Sequence, residues 1–476
     1  MGLGIELFEH HESKCYPYPI EMEGSNNKVD CDFEEESFER YKSINPRVFP
    51  SSRDKRKCFQ LNISEKSVHL KAEYYIGLDW LVDGRYVNVR PKLNRSVIEL
   101  FVKKTEQKEI EENNVVEEEK SILEIDKYKE LNYLKLLMDA FAHPEIVKGA
   151  GDLIFIDWDA KEIEINQKDD ALTPFLVVQF LKLLKQIIRK GLKKSYYKVQ
   201  ENLNNRIKGK ILVGANMKQN VLKNRLTKTY CEYQEFGINH QENRFLKKVL
   251  YYCSNYVYQN ASLFAGNKEN LVQLINYCKP AFELVSAEEE VATLQNIKHN
   301  PFFKEYKESI KIGQYILKRF SYNISNTEKS EKIKTPPFWI DMPKLFELYV
   351  YHHLLSAFDS KEIDFQFSTY GNALDFLITK AGHEMVVDAK YKMNYRSSHI
   401  HEDIRQVAGY GRLNKVYEAL KKSKAEIIDC LIIYPTDKEL TDDYKFECVL
   451  DQFSEIKAYN KVYKLGIPMP YIKIDL

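Results

Sequence analysis

At 476 residues the chain is long enough for about two to four domains. Charged residues make up 30% and hydrophobic residues 44%, an ordinary soluble composition that excludes low-complexity and repeat architectures. Lys and Arg (71) balance Asp and Glu (70), so the total charge says nothing about nucleic acid and only its distribution can.

The eight cysteines form no CxxC and no zinc-finger spacing with His. Cys253 lies in an apolar helical run and Cys430 in an apolar strand, which predicts buried free thiols and a reducing, cytoplasmic setting. The N-terminus MGLGIELFEHHESK has neither a basic leader nor a long apolar stretch, and no run of about 18 apolar residues occurs, so no membrane span is expected.

In chain order, residues 1–70 are polar with weak strand signals. Strands are predicted at Ala72–Leu78 and Arg85–Arg90, with Asp83-Gly84 as the turn. Residues 103–130 are strongly acidic and read as a solvated linker or insertion. Helical periodicity starts near Leu131, and a hairpin-like piece follows at Asp152–Asp157 and Glu162–Ile165. Long helices are predicted at Pro174–Lys190, Gln241–Gln259 and Lys268–Tyr277, making the middle of the chain mostly helical.

Within that middle, Leu181 to Tyr230 holds fourteen Lys or Arg and one acid, Glu201, with Tyr196, Tyr197 and Tyr230 interleaved. Such a stripe neutralises phosphates, and its tyrosines can stack on bases. Lys193, Lys194, Lys198, Arg206, Lys208 and Lys210 are therefore candidate nucleic-acid contacts. A solvated basic face, or one that docks on an acidic partner, is the other reading of the same residues. The polar stretch Ser321–Lys334 marks a domain boundary.

After it the pattern is helix, three strands, helix, strand. The helix DMPKLFELYVYHHLLSAF has Asp341 as N-cap and Pro343 in the first turn. Glu347 shares a stripe with Val350, Tyr351, Leu354 and Phe358, so it points toward the sheet. Strands are predicted at 363–368, 372–379 and 384–391, a helix over 402–422, and a strand over 429–434. A turn centred on Ala381-Gly382 sets Asp375 opposite Asp388, with Lys390 on the same face and Leu374, Phe376 and Ile378 on the other. Like charges directly opposed across a ladder are destabilising, and a divalent cation would remove the repulsion. Lys392 falls on the active face as a further phosphate contact. His352, His353, His399 and His401 show no third ligand at zinc spacing.

Asp375, twelve intervening residues and Asp388-Ala389-Lys390 resemble the PD-(D/E)xK nuclease core, with Leu374 where that family has proline. Glu347 on the preceding helix and Gln406 on the following one match accessory positions of some of its branches. The pieces YYIGLDWLVDGRYVNVRPKL (74–93), IIRKGLKKSYYKVQENLNNRIKGKI (187–211), CEYQEFGINHQENRFLKKVLYYC (231–253), LFELYVYHHLL, DAKYK and DIRQVAGYGRL together resemble the McrC family.

That resemblance implies the endonuclease subunit of a McrBC-type, methylation-directed restriction system. It would cut double-stranded DNA with a McrB-like AAA+ GTPase ring, a hexamer; no Walker A motif occurs here, so GTP would act only through that partner. The segments in order predict a multidomain α+β fold: an N-terminal β-rich domain (1–102), the acidic linker or insertion (103–130), a helical middle domain (131–320) and a last domain (335–476). The resemblance implies that the N-terminal domain engages the partner and that the last is a restriction-endonuclease-like αβββαβ core; residues 1–70 and 103–130 have no counterpart in it. By the chemistry of such a core, Mg²⁺ (or Mn²⁺) would be held by Asp375, Asp388, Glu347 and the Ala389 carbonyl. Lys390 would orient water or hold developing charge, and Gln406 would position Lys390, water or DNA. A non-cleaving DNA-binding adaptor that recruits or stimulates the ring is the alternative, and a stand-alone repair nuclease of the same fold a third.

Overall fold

The structure, a computed structural model, describes residues 3–8, 12–15, 42, 44–50, 55–63, 68–72, 74–82, 84–90, 129–140, 146, 153–166, 170, 172–260, 264, 268–286, 304–324, 332–369, 371–392, 400–440, 444–446, 453–456 and 458–473. The acidic 103–128 and His399 lie outside the described residues. Two compact units form: Met1–Phe175 with Asn326–Leu476, and Leu176–Ser325. No helix among the described residues is long and apolar enough to cross a membrane.

The N-terminal part of the first unit contains β1 (Leu3–Phe8), β2 (Glu12–Cys15), β3 (Phe59–Ile63), β4 (Val68–Ala72), β5 (Tyr75–Val82) and β6 (Arg85–Arg90). Four of these strands lie wholly or partly where the sequence shows little alternation, because their partners supply the pairing. β1 runs parallel to β6, and β2, β4 and β3 form a separate sheet. The expected β5–β6 hairpin forms, with Gly84 at φ 85° in its turn. β7 (Lys129–Leu131), α1 (Tyr133–Ala140), β8 (Ile154–Ile156) and β9 (Ile163–Asn166) follow. β8 and β9 do not form the hairpin that their spacing suggested. Each pairs instead with a strand about 180 residues further on.

α2 (Leu172–Lys190) leads into the second unit, capped by Asp170, whose carboxylate accepts from the amides of Leu172 and Thr173. It is apolar on nearly every side, and residues from Phe175 to Ile187 are buried around it. The unit then departs from a helical reading. β10 (Ser195–Asn204), β11 (Lys210–Ile211), α3 (Val213–Gln219) and β12 (Lys228–Gly237) build a three-stranded sheet with ten β10–β12 pairs. β10 alternates exposed and half-buried residues on a narrow ribbon, so it carries no strong apolar period. Helices α4 (Gln241–Gln259) and α5 (Lys268–Cys278) match the sequence reading, and α6 (Lys304–Ile324) packs on α4.

Returning to the first unit, β13 (Lys332–Thr335) pairs β9, and β14 (Phe338–Asp341) lies between β5 and β8. β14 therefore belongs to the N-terminal sheet, although it follows the boundary read at 321–334. Trp339 on β14 is fully buried among Leu7, Phe59, Tyr75 and Val87. Its Nε1 donates to Asp79, which also receives Arg47 and the Trp80 amide.

α7 (Met342–Ala357) starts at once after β14, capped by Asp341, whose Oδ1 accepts from the Lys344 amide at 3.0 Å. A six-stranded sheet follows, in the order β15 (Ile363–Thr369), β16 (Asn372–Ile378), β17 (Met385–Ala389), β18 (Asp429–Glu439), β20 (Val462–Met469), β19 (Ser454–Glu455). β16 is antiparallel to both β15 and β17, whereas β17, β18 and β20 run parallel. The final β21 (Tyr471–Lys473) pairs β7.

The single helix read over 402–422 is two, α8 (Ile400–Tyr410) and α9 (Asn414–Leu420). They break at Gly411, where any Cβ would sit 3.0 Å from Cys430 Sγ on β18. Glycine avoids that tight contact between chain and strand. The described cysteines 58, 231, 253, 278 and 430 are free and buried, as expected.

Candidate active site

The β16–β17 ladder has Ile378↔Met385, Leu377↔Val386 and Phe376↔Val387. The next pair in that register is Asp375 with Asp388, the opposition read from the turn; the His383 amide donates to Lys380 O across that turn at 2.9 Å. The site lies where this ladder stops, at the carboxyl end of β17, beside the parallel part of the sheet.

Asp388 is nearly closed to water, its side chain 3% exposed, and Lys390 Nζ stands 2.9 Å from its Oδ2. Lys390 Nζ also donates to Gln406 Oε1 on α8 at 2.8 Å. Gln406 Nε2 in turn donates to the Tyr410 hydroxyl at 2.8 Å, one turn on. Burial alone would pull the Lys390 ammonium down. Asp388, with Asp375 and Asp403 further off, outweighs it and holds Lys390 above its ordinary value.

Asp375 is held differently. Its Oδ2 accepts from the Ala389 amide at 2.8 Å, so a side chain replaces the main-chain acceptor of a regular ladder. Burial, then the charges of Glu347 and Asp388, push the Asp375 carboxyl well above the usual range. Glu347 on α7 is pushed up to about 7, chiefly by burial and then by Asp341 and Asp388. Three acids on separate elements thus feel one another, and Lys390 is paired with Asp388.

Alternation on β16 departs from the simple pattern. Phe376 lies against Tyr351 of α7 at 5.7 Å between ring centroids, as a strand facing that helix should. Leu374, expected on the same face, packs instead with Leu377, Val386, Ile404 and Val407 on the α8 side. The face changes between Leu374 and Phe376, that is, at Asp375.

Among the described residues no three His, Cys, Asp or Glu side chains are gathered as a ready metal cage. The donor set still fits a hard cation. Mg²⁺ needs only one or two carboxylates and keeps several waters. Burial and mutual repulsion hold the Asp375 and Glu347 carboxyls toward their protonated forms, and a bound cation would favour the ionised ones.

The histidines are elsewhere. His353 is buried, edge-on to Tyr349 and Tyr444 and stacked on Phe446, and burial, then His352, lowers it to about 3. The helix is therefore buried on the side away from Glu347 as well. His401 Nδ1 meets the Tyr459 hydroxyl.

The sequence profile of the family described as "McrBC 5-methylcytosine restriction system component" matches residues 70–435. The chain belongs to this McrBC family. The match spans β5 to β18 and so includes both the basic ribbon and the carboxylate site. Two solved assemblies from Thermococcus gammatolerans are similar to it. One is a refined half-complex of McrB AAA+ hexamers with bound McrC, at 14% identity over 99% of this chain and 95% of that one, with a TM-score of 0.36. The other is a cryo-EM McrBC complex, at 13% identity over 74% and 87%, with a TM-score of 0.28. No curated protein matches the chain.

The basic residues of this McrBC family member divide by what they touch. Lys193 is structural. Its ammonium bridges to Glu242 at 2.7 Å with both side chains mostly buried, and its carbonyl accepts from His240 and Asn243. Its amide donates to the Tyr306 hydroxyl, so it ties the root of β10 to α4 and α6. Lys194, Arg206 and Lys210 are exposed. Lys198 is 71% exposed, with Glu232 at 3.9 Å, and Lys208 bridges to Glu235 at 3.0 Å over the Tyr233 ring. Glu232 and Glu235 lie just past the window that looked unopposed in sequence, and the β10–β12 ladder brings them back beside it.

Beyond these acids, residues 205–228 carry seven cations and no acid. Ile207, Val213, Leu222 and Leu226 are each more than 60% exposed there. Lys392 is bonded to Asp403 at 2.7 Å. Gln406 and Tyr410 stand one helical turn apart, a spacing visible in the sequence, whereas no sequence signal marks the Ala389 amide as the anchor of Asp375.

Proposed function

We propose that this chain is the DNA-cleaving subunit of a McrBC-type restriction system, hydrolysing phosphodiester bonds of foreign, methylated double-stranded DNA together with a McrB-like AAA+ GTPase ring. Its membership of the McrBC family supports the system, and one observation carries the chemistry: the β16–β17 register sets Asp375 opposite Asp388, with Lys390 on Asp388 and Gln406 on Lys390. The order α7, β15–β17, α8–α9, β18 supports the reading of a PD-(D/E)xK core.

Asp375 and Asp388, with Glu347 and the Ala389 carbonyl, would hold Mg²⁺ or Mn²⁺. When bound, the ion supplies charge compensation for the phosphate and lowers the pKa of the attacking water. The chain's own groups prepare that step. The Ala389 amide fixes one oxygen of Asp375. Gln406 and Asp388 hold the Lys390 ammonium from two sides, aiming a positive charge at the place where negative charge develops. Tyr410 fixes the Gln406 amide so that its oxygen faces Lys390. Lys194, Lys198, Arg206, Lys208 and Lys210 offer the DNA backbone a cationic track. In the other unit, Lys392 would contact phosphate on leaving Asp403. GTP would be consumed only by the partner.

Asp388→Asn is expected to lower cleavage by at least about 10²-fold in the presence of the GTPase partner, GTP and Mg²⁺, while assembly with the partner persists. Equal cutting by variant and wild type would show that the site is wrongly placed.

The adaptor reading draws on the Lys390–Asp388 ion pair, which neutralises that carboxylate without a metal. Calorimetric titration separates the two. Mg²⁺ or Mn²⁺ binding that depends on Asp375 supports the nuclease, and its absence supports the adaptor.

A further inference from the structure

The β15–β16 ladder contains one gap, and it falls at the candidate site. Phe365↔Phe376 and Phe367↔Leu374 are paired, whereas Gln366 and Asp375, which the register sets opposite each other, are not. Gln366 has φ 52°, the left-handed region, which costs a non-glycine residue about 1–2 kcal/mol. Its neighbours show the consequence. Phe365 stacks on Tyr351 of α7 at 4.8 Å, while Phe367 packs on the α8 side with Leu374. Residues two apart on a strand share a face, so the left-handed residue has turned β15 over.

β16 turns over at the same level, with Phe376 on the α7 side and Leu374 on the α8 side. A side chain standing upright on a regular sheet cannot accept from the next strand's amide, which lies in the plane of the sheet. Asp375 Oδ2 does accept from Ala389 N, at 2.8 Å.

We infer that Gln366 is a positioning residue: its left-handed backbone breaks the β15–β16 ladder opposite Asp375 and thereby lays the Asp375 carboxylate in the sheet plane, between α7 and α8. The inference rests on the proposed metal-binding role of Asp375. It concerns backbone conformation, since the Gln366 side chain is exposed.

The test measures Mn²⁺ affinity of the full chain by calorimetry, with DNA cleavage alongside the partner GTPase. Gln366→Gly and Gln366→Asn, which tolerate a left-handed φ, are expected to stay within about twofold of wild type. Gln366→Val, which resists that φ, is expected to lose at least about tenfold in Mn²⁺ affinity and to lose cleavage with it. Should the Val variant not fold, Gln366→Ala takes its place: it removes the same side chain as Gly but keeps the left-handed cost, and is expected to bind Mn²⁺ several-fold more weakly than Gly. Wild-type affinity in Val or Ala, or an equal loss in Gly and Val, overturns the inference. Asp375→Asn is the control. If it binds Mn²⁺ like wild type, the reading of the site fails; if it loses binding while Gln366→Val keeps it, only the role of Gln366 fails.

Discussion

On the six-stranded sheet Asp388 is 3% exposed and keeps Lys390 at 2.9 Å; on the ribbon Lys198 is 71% exposed and its nearest carboxylate partner, Glu232, stands 3.9 Å away. The same pair of chemical groups is therefore used in two ways. In the sheet, burial raises the carboxyls of Asp375 and Glu347, and Lys390 depends on a particular neighbour, Asp388. On the ribbon, water screens the charges, so what matters is how many there are and where they lie. The difference teaches that a count of charged residues along the chain says little until the dielectric around each is known.

Four substitutions would break or sharpen that contrast, and the largest effect belongs to a buried group that carries no charge. His353 stays neutral because burial lowers it to about 3, against 6.5 in the unfolded chain. Between those values the unfolded state takes up a proton that the folded state refuses. The stability is fully present above pH 6.5 and is lost as pH falls toward 3, at about 1.4 kcal/mol per pH unit. His353→Phe, which suits the aromatic surroundings, should flatten this acid limb by up to ~5 kcal/mol in urea unfolding measured across that range. An unchanged limb would show that His353 is not the group responsible.

Lys390→Met comes next. It strands Asp388 without its cation and should cost about 3 kcal/mol in chemical denaturation, with cleavage abolished. A cost near zero would mean that the site is wetter than its exposure implies.

Lys193→Ala should cost about 1–2 kcal/mol, because the mostly buried Glu242 loses its partner, while the salt dependence of DNA binding stays unchanged. A changed salt slope would return Lys193 to the phosphate-contacting set.

The smallest stability effect belongs to Lys194, Lys198 and Lys208 changed together to Ala. Each should alter stability by less than about 1 kcal/mol. DNA affinity should fall, and the slope of log K against log salt should shrink by about 2–3 if all three touch phosphate. An unaltered slope would leave the ribbon to a protein partner.

Legibility followed distance along the chain. The opposition of Asp375 and Asp388 was readable because a tight turn sets register locally, and the ladder bears out that register. Helices α4 and α5 were readable because their apolar period is intrinsic to the segment. β8 and β9 looked like a hairpin because they are neighbours in sequence, yet their partners β14 and β13 are far along the chain. The ribbon escaped notice because a strand exposed on both faces has no apolar alternation to show.

By itself, then, the sequence determined the elements with a strong period, the turn that brings two aspartates together, and the family signature from residue 70 to 435. Only the tertiary structure decided which way those aspartates face and which lysines stay exposed rather than tied to a buried carboxylate. Asp375 is turned by a break opposite Gln366 on another strand, and Lys193 is taken by Glu242, 49 residues away. Register within a hairpin is a local matter of turn geometry. Burial, and the side of a sheet on which a side chain ends, depend on what the rest of the chain brings alongside.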